Sequence, residues 1–503
     1  MEDWLAPLHD ATTMRAADAW AIDEQGVPSL ELMEAAGLAV AEAAERVATG
    51  GPIRVVCGKG NNGGDGLVAA RRLVEFGHDV EVLLLWPAGE LSGDASTNLE
   101  RFGGAVSELG NDPAGALAGS GAVIDAIFGT GFSGAPREPV DAAIEAINAC
   151  GAPVVAADIA SGVDASSGEV AGAAVRASVT VTFHAAKIGH RIAPGKALCG
   201  ELVVAPIGIP AGAPGEAPAG ELGPGVIELP ARRGPGSTKF TSGQVLVAGG
   251  SRGLTGAVCL AASAAIRAGA GYATVAVPDE LEPIFEVKLT EVMSRGCATQ
   301  DGALARGAAE SIVEAAERAA AVVLGPGLGR REWSADLVGD VASRVEAPLV
   351  IDADGLNALA GRLESLAERG AGAVLTPHAG ELGRLLEIEA ADVDAHRLDG
   401  ARDAAARCGG VVVLKGDDTI VAEANGRVAI NALAAPALAT AGTGDVLAGT
   451  IAALIARGLE PFEAACAGVY AHARAGRLAA ERVGNAESVI AGDVIDALPA
   501  GLV

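Results

Sequence analysis

Short runs of β-branched and aliphatic residues recur along this chain, separated by Ala-rich stretches that mix apolar and polar positions. In the first half the runs are Ile53-Arg54-Val55-Val56-Cys57, Val80-Glu81-Val82-Leu83-Leu84-Leu85, Ala122-Val123-Ile124-Asp125, Val154-Val155-Ala156-Ala157-Asp158 and Val179-Thr180-Val181-Thr182-Phe183. In the second half they are Gln244 to Ala248, Ala273 to Val277, Ala321 to Leu324, Leu349 to Asp352, Ala373 to Thr376 and Val411 to Leu414. Continuous apolar runs of this length predict strands buried on both faces, and strand alternating with helix predicts a mostly parallel sheet under two helical layers. Between the halves, Gly208 to Gly225 carries too much Pro and Gly for a helix or a central strand. The pattern divides the chain into a domain over 1–215, a Pro/Gly-rich linker over 216–232 and a second domain over 233–503. Each is expected to be a doubly wound α/β fold. The halves share this rhythm but no sequence register.

Composition agrees with layered α/β domains: half of the 503 residues are hydrophobic and 70 are Gly, while aromatics make up only 3%. The formal net charge of −28 argues against a nucleic-acid or anionic-membrane partner. An anionic ligand would have to be held by backbone N–H groups and a few cations, such as Lys59 or Lys415, against that field. The seven cysteines form no CxxC or Cys/His cluster, so neither a zinc site nor a disulfide framework is indicated. With an acidic start, no apolar signal core and no apolar run of about 18 residues, the expected setting is cytoplasmic. A homo-oligomer is expected.

Chemistry concentrates at the strand ends, where doubly wound sheets place their ligands. After Cys57 comes Gly58-Lys59-Gly60-Asn61-Asn62-Gly63-Gly64-Asp65-Gly66, then the helical stretch Leu67 to Leu73. A strand, a glycine-rich turn and a helix start make a phosphate cradle, and Asn61 and Asn62 add carbonyl oxygens and amides. Asp125 leads into Ile127-Phe128-Gly129-Thr130-Gly131-Phe132-Ser133-Gly134, and Asp158 into Ile159-Ala160-Ser161-Gly162-Val163-Asp164. On one sheet edge, Asn62, Asp125 and Ser161 would offer oxygen ligands suited to a monovalent cation. Asp158 would carry a proton or bind a sugar hydroxyl. Taken singly, each Asp also fits a helix cap or turn.

These motifs, over roughly residues 10–210, are similar to the Rossmann-like domain of NAD(P)H-hydrate epimerases. The resemblance implies that Asn61, Asn62, Gly63, Gly64 and Asp65, the stretch Gly129, Thr130, Gly131, Phe132, Ser133, Gly134 and Ala135, and Asp158 contact the hydrated dinucleotide. It also implies that Asn62, Asp125 and Ser161 bind K+. Asp158 is the candidate for acid/base work at the nicotinamide ring.

The second half carries Gly325-Pro326-Gly327-Leu328-Gly329, Asp352-Ala353-Asp354-Gly355-Leu356-Asn357, Thr376-Pro377-His378-Ala379-Gly380-Glu381 and Lys415-Gly416-Asp417-Asp418-Thr419, each after a strand. Thr440-Ala441-Gly442-Thr443-Gly444-Asp445 then runs straight into the apolar stretch Val446 to Ile451. Unpaired N–H groups at a helix start favour phosphate. A carboxylate beside phosphate is unfavourable, which points Asp445 to proton transfer or to the polar end of a substrate.

Together these resemble ribokinase-like small-molecule kinases. His378, where vitamin and sugar kinases of this fold carry Asn, resembles the ADP- or ATP-dependent NAD(P)H-hydrate dehydratases, over about residues 235–495. The resemblance implies hydrate contacts from Ala257, Gly327, His378 and Asp445, nucleotide contacts from Lys415, Gly416, Asp417, Asp418, Thr419 and Gly444, and Mg2+. With both activities on one chain it further implies ADP as co-substrate, released as AMP and phosphate. The expected function is thus epimerisation of R and S NADHX and NADPHX and dehydration of the S form, with Asp445 and Asp158 as the candidate catalytic residues. The alternative is a ribokinase-like vitamin kinase fused to a non-catalytic dinucleotide-binding module. A sensor without turnover is disfavoured by Asp445, which such a protein would not use.

Overall fold

The computed structural model describes residues 2–369 and 372–503. It contains two compact units, Pro7–Ala219 and Gly220–Val503, the latter joined by Glu2–Ala6.

The first unit is built on a seven-stranded parallel sheet. From edge to edge it runs Ala105–Glu108, Val80–Leu84, Ile53–Cys57, Ala122–Ala126, Val154–Ala157, Val179–Phe183 and Glu201–Ala205. Successive residues of a strand face opposite sides. Val55 and Cys57 pack under the helices Ser29–Val47 and Asn61–Glu75, and Val56 packs with Ile144 and Ile147 of the helix Val140–Ala149. Strand order reverses between Ile53–Cys57 and Ala122–Ala126. Their carboxyl ends therefore open a crevice at that point.

The second unit has an eleven-stranded sheet whose centre is parallel: Val411–Leu414, Ala373–Leu375, Leu349–Ile351, Ala321–Leu324, Gln244–Ala248, Tyr272–Pro278 and Met293–Cys297 in spatial order. Thr419–Glu423 and Val428–Asn431 extend it antiparallel. Its reversal falls between Gln244–Ala248 and Ala321–Leu324. The helices Thr255–Arg267, Thr443–Ala456 and Pro461–Val483 cover one face with Ala, Leu and Ile. Two doubly wound α/β units were the expected fold and are the fold observed.

Three boundaries differ from the sequence reading. The 216–232 stretch, read as a linker, contributes the strand Ala219–Leu222, paired with Val428–Asn431, and a 3-10 turn over Pro224–Glu228. Its apolar positions Leu222, Val226 and Ile227 are buried between the prolines and hold it to the core. Glu2–Ala6 belongs to the second unit, with Trp4 and Leu5 in that core. The helix expected from Leu67 begins at Asn61. Its glycines allow close packing: a Cβ on Gly63 would lie 1.9 Å from the Gly58 carbonyl oxygen, and one on Gly66 would lie 2.5 Å from the Ala126 Cβ.

Candidate functional sites

At the reversal of the first sheet lies a cavity of about 620 Å³. Of the residues read from the sequence, Asn61, Asn62, Asp65, Gly129, Thr130, Gly131, Phe132 and Asp158 line it. Gly63, Gly64, Ser133, Gly134 and Ala135 do not. The Gly63 and Gly64 positions face the Gly58 carbonyl and the Met33 side chain, so they set the helix against its neighbours. The Phe128 and Phe132 rings stack at 4.4 Å in the cavity wall, with Trp86 next to Phe128 and the Lys59 ammonium over the Trp86 ring.

Asp158 follows the strand Val154–Ala157 with a left-handed φ of 67°, a conformation strained for a non-Gly residue. Four donors hold its carboxylate there. One oxygen accepts from the Lys187 ammonium at 2.7 Å and the Thr182 hydroxyl at 3.3 Å, the other from the Thr130 amide at 2.8 Å and the Thr130 hydroxyl at 2.5 Å. The Asp158 carbonyl also meets the His190 ring, whose other nitrogen accepts from the Lys187 amide. Burial pushes the Asp158 carboxyl up, but Lys187 and Thr130 outweigh it and hold it at about 2. Of the two roles left open for Asp158, a fixed anion that receives a substrate hydroxyl fits this environment better than a proton carrier.

Lys187 gave no sequence signal beyond its place four residues past the strand Val179–Phe183. It is 1% exposed, and its ammonium also donates to Thr182 and the Phe183 carbonyl.

Behind the cavity, Ser161 donates to Asp125 through its amide at 2.8 Å and its hydroxyl at 2.7 Å, and Ser161 in turn accepts from the Phe128 amide. Burial lifts Asp125 to about 6 even so. The side-chain oxygen and nitrogen of Asn62 are buried without a partner. An orphaned carbonyl oxygen near the cavity is what an oxygen-ligated monovalent cation would complete, so the donor set suits K+.

In the second unit the loops after Gln244–Ala248 and Ala321–Leu324 meet at the reversal: the Gly250 amide donates to the Pro326 carbonyl and the Ser251 hydroxyl to that of Gly327. A Cβ on Gly327 would lie 3.3 Å from the Ala257 Cβ, so these two predicted contacts are neighbours. The next strand ends gather charge. Lys415 lies 3.1 Å from Asp352 and 3.6 Å from Glu381, while the Thr376 hydroxyl donates to Asp352 at 2.7 Å. Gly444 closes on this group, its Cβ position 3.4 Å from the Lys415 ammonium.

Asp445 stands in the first turn of the helix Thr443–Ala456, which Gly442 enters at φ 92°. Burial, then the negative charge of Asp352, lifts its carboxyl to about 7 against the pull of Lys415. A carboxylate poised there can accept a proton at neutral pH.

His378 caps the helix Ala379–Leu386: its Nδ1 accepts from the Gly380 amide at 3.0 Å, and its own amide donates to Glu381. The imidazole thus makes the cap bond an Asn would make. That leaves Nε2 on the outer side of a half-exposed ring, 3.6 Å from Glu381. In the Lys415–Thr419 loop, Asp418 is buried against the Arg397 guanidinium at 2.9 Å, and Thr419 bonds back to Gly416 and opens the strand Thr419–Glu423. Arg397 was missed, since it gives no local signal, whereas Asp352 was read only as the end of a buried strand, without a role of its own. Among the described residues no group of three or more His, Cys, Asp or Glu side chains is placed to hold a metal ion, and no helix is long and apolar enough to cross a membrane.

Residues 245–500 match the family model described as NAD(P)H-hydrate dehydratase, and residues 29–189 match that of the YjeF-related protein N-terminus. The chain is 42% identical to the bifunctional NAD(P)H-hydrate repair enzyme Nnr of Moorella thermoacetica, covering 98% of this chain and 96% of that protein. It is 35% identical to the Escherichia coli enzyme of the same name over 88% and 84% of the two chains. The crystal structure of an ADP/ATP-dependent NAD(P)H-hydrate dehydratase from Bacillus subtilis, co-crystallised with ATP and Mg2+, is 29% identical. It covers 55% of this chain and 94% of that one at a TM-score of 0.48. The chain belongs to the family of bifunctional NAD(P)H-hydrate repair enzymes.

Proposed function

We propose that this chain repairs hydrated nicotinamide dinucleotides, the first unit interconverting the R and S epimers and the second returning the S epimer to NADH or NADPH at the expense of ADP. The observation that carries the reading is Asp445, a base in the first turn of a helix whose free N–H groups suit phosphate, within reach of the Lys415 charge.

In the second unit Asp445 takes the proton of the substrate hydroxyl as its oxygen attacks the β-phosphorus of ADP and AMP departs. The Gly442–Gly444 amides and Lys415 stabilise charge on the transferring group. The C–O bond then breaks with its electron pair on phosphate while the ring nitrogen forms a C=N bond, and loss of a proton from the adjacent carbon restores the dihydropyridine. Mg2+ usually arrives with nucleotide phosphates and few protein carboxylates, and Glu381, 3.6 Å from the Lys415 ammonium, would be the carboxylate to share it.

In the first unit Asp158 receives the ring hydroxyl or a ribose hydroxyl, and the Phe128–Phe132 stack offers a face to a planar ring. K+ would be held by Asn62, Asp125 and Ser161, where it supplies positive charge for an anionic dinucleotide.

The vitamin-kinase alternative is tested by offering thiamine and pyridoxine precursors with ATP. Accumulation of a phosphorylated vitamin at a rate matching repair would support it. The expected result is none, together with faster repair with ADP than with ATP.

A further inference from the structure

The cavity of the first unit holds a carboxylate that no motif pointed to. Asp18, on the helix Ala11–Ala19, lines it together with Asp65 and Asp158. Most of the other charged groups in the wall are committed. Both oxygens of Asp158 are taken, and Lys187 is held by three acceptors. Lys59 pairs with Glu90 at 3.0 Å, and the Arg15 guanidinium donates to the Ala11 carbonyl. Asp65 is buried, and burial followed by the charges of Asp158 and Asp18 pushes its carboxyl well above the ordinary range. Asp94, in the first turn of the helix Gly93–Arg101, is the remaining wall carboxylate.

Like Asp94, Asp18 is half-buried, lines the cavity and accepts no hydrogen bond from the described residues, and it stands close enough to the Asp158–Lys187 pair to feel both charges. Burial lifts it to about 6, with Asp158 adding to the rise and Lys187 opposing it. A group of that kind gives and accepts a proton near neutral pH.

We propose that Asp18 exchanges a proton with the substrate hydroxyl during epimerisation, while the Asp158–Lys187 pair stays fixed as a polar anchor; this rests on the epimerase reading of the unit. The Asp18 carboxyl gives its proton to the hydroxyl oxygen. The C–O bond breaks, its electron pair leaves with water, and the ring-nitrogen lone pair forms a C=N bond. Water adds to the same carbon from the other face, the C=N pair returns to nitrogen, and the surplus proton goes back to Asp18. Nothing is consumed, in keeping with an isomerisation.

The test gives full-length protein the R epimer with K+ and no nucleotide, and follows epimer composition by proton NMR across pH. In wild type kcat should fall as pH rises through about 6, the value to which burial lifts Asp18. Asp18→Asn should lower kcat roughly 100-fold or more with little change in KM and abolish that limb. Dehydration of the S epimer with ADP, in the other unit, should be unchanged. Asp18→Glu should keep activity and shift the limb, and it decides the matter if Asp18→Asn does not fold. Wild-type kcat or an intact limb in Asp18→Asn, or an unshifted limb in Asp18→Glu, overturns the assignment. Loss of the limb in Asp65→Asn or Asp94→Asn alone overturns it too. A wild type that leaves the R epimer untouched overturns the epimerase reading itself, which shows before any substitution is made.

Discussion

Asp158 and Asp445 both follow a strand or open a helix at a carboxyl edge, and burial acts on both in the same direction. Their neighbours then separate them: an ammonium and three further donors hold Asp158 at about 2, while Asp352 lifts Asp445 to about 7. Because the folded-state value of Asp445 lies above its ordinary value of 3.8, stability is lost as pH rises toward and through about 7. Asp445→Asn should therefore stabilise the second unit at pH 8 by about 1–2 kcal/mol, discounting for partial exposure, and lower dehydration about 10²- to 10⁴-fold. Urea titration paired with the absorbance of restored NADH checks both. Asp158 has the opposite sign: its contribution is present above pH 4 and lost as pH falls toward 2. Lys187→Met, which strands a buried carboxylate, should cost about 3–5 kcal/mol in urea unfolding of the first unit. The motif carboxylates were legible in the sequence because they end apolar runs beside glycines. Lys187, Asp18 and Arg397 were not, because each reaches its partner from an element remote in sequence or without a motif of its own.

The element scale explains the glycines better than phosphate binding does. Gly449 in the helix Thr443–Ala456 approaches the helix Thr255–Arg267 so closely that a Cβ would sit 2.0 Å from the Ala261 carbonyl oxygen. Gly449→Ala should push the two helices apart at a cost of about 1–3 kcal/mol. Because the same helix carries Gly444 and Asp445 in its first turn, kcat for dehydration should fall with it. A substitution that lowers stability and leaves kcat untouched would mean the site is held by the loops alone. The buried strands and their order of chemistry were readable from periodicity. The helix start at Asn61 was not, since a Gly-rich helical turn held by close packing and a Gly-rich loop look alike in sequence. The edge strand Ala219–Leu222 was hidden for a similar reason, its Pro and Gly neighbours masking three buried apolar positions.

For the whole molecule, the division of the chain does not follow sequence order. Trp4 packs 6.5 Å from Phe462, and Glu2 pairs with Arg427, so the first residues stabilise the second unit. Trp4→Ala should lower the urea midpoint for loss of dehydration, by about 3 kcal/mol of stability, and leave that for epimerisation in place. The charge of −28 opposes an anionic substrate, so kcat/KM should rise with ionic strength through the range where the Debye length shortens toward about 8 Å. A flat or falling profile would assign encounter to local cations alone. The most direct test of two activities on one chain supplies the pure R epimer of NADHX with K+, Mg2+ and ADP and follows the near-ultraviolet absorbance of NADH. Full recovery, abolished by Asp445→Asn while R and S still interconvert, is the result expected. No recovery from the R epimer, when the S epimer is repaired at once, would contradict it.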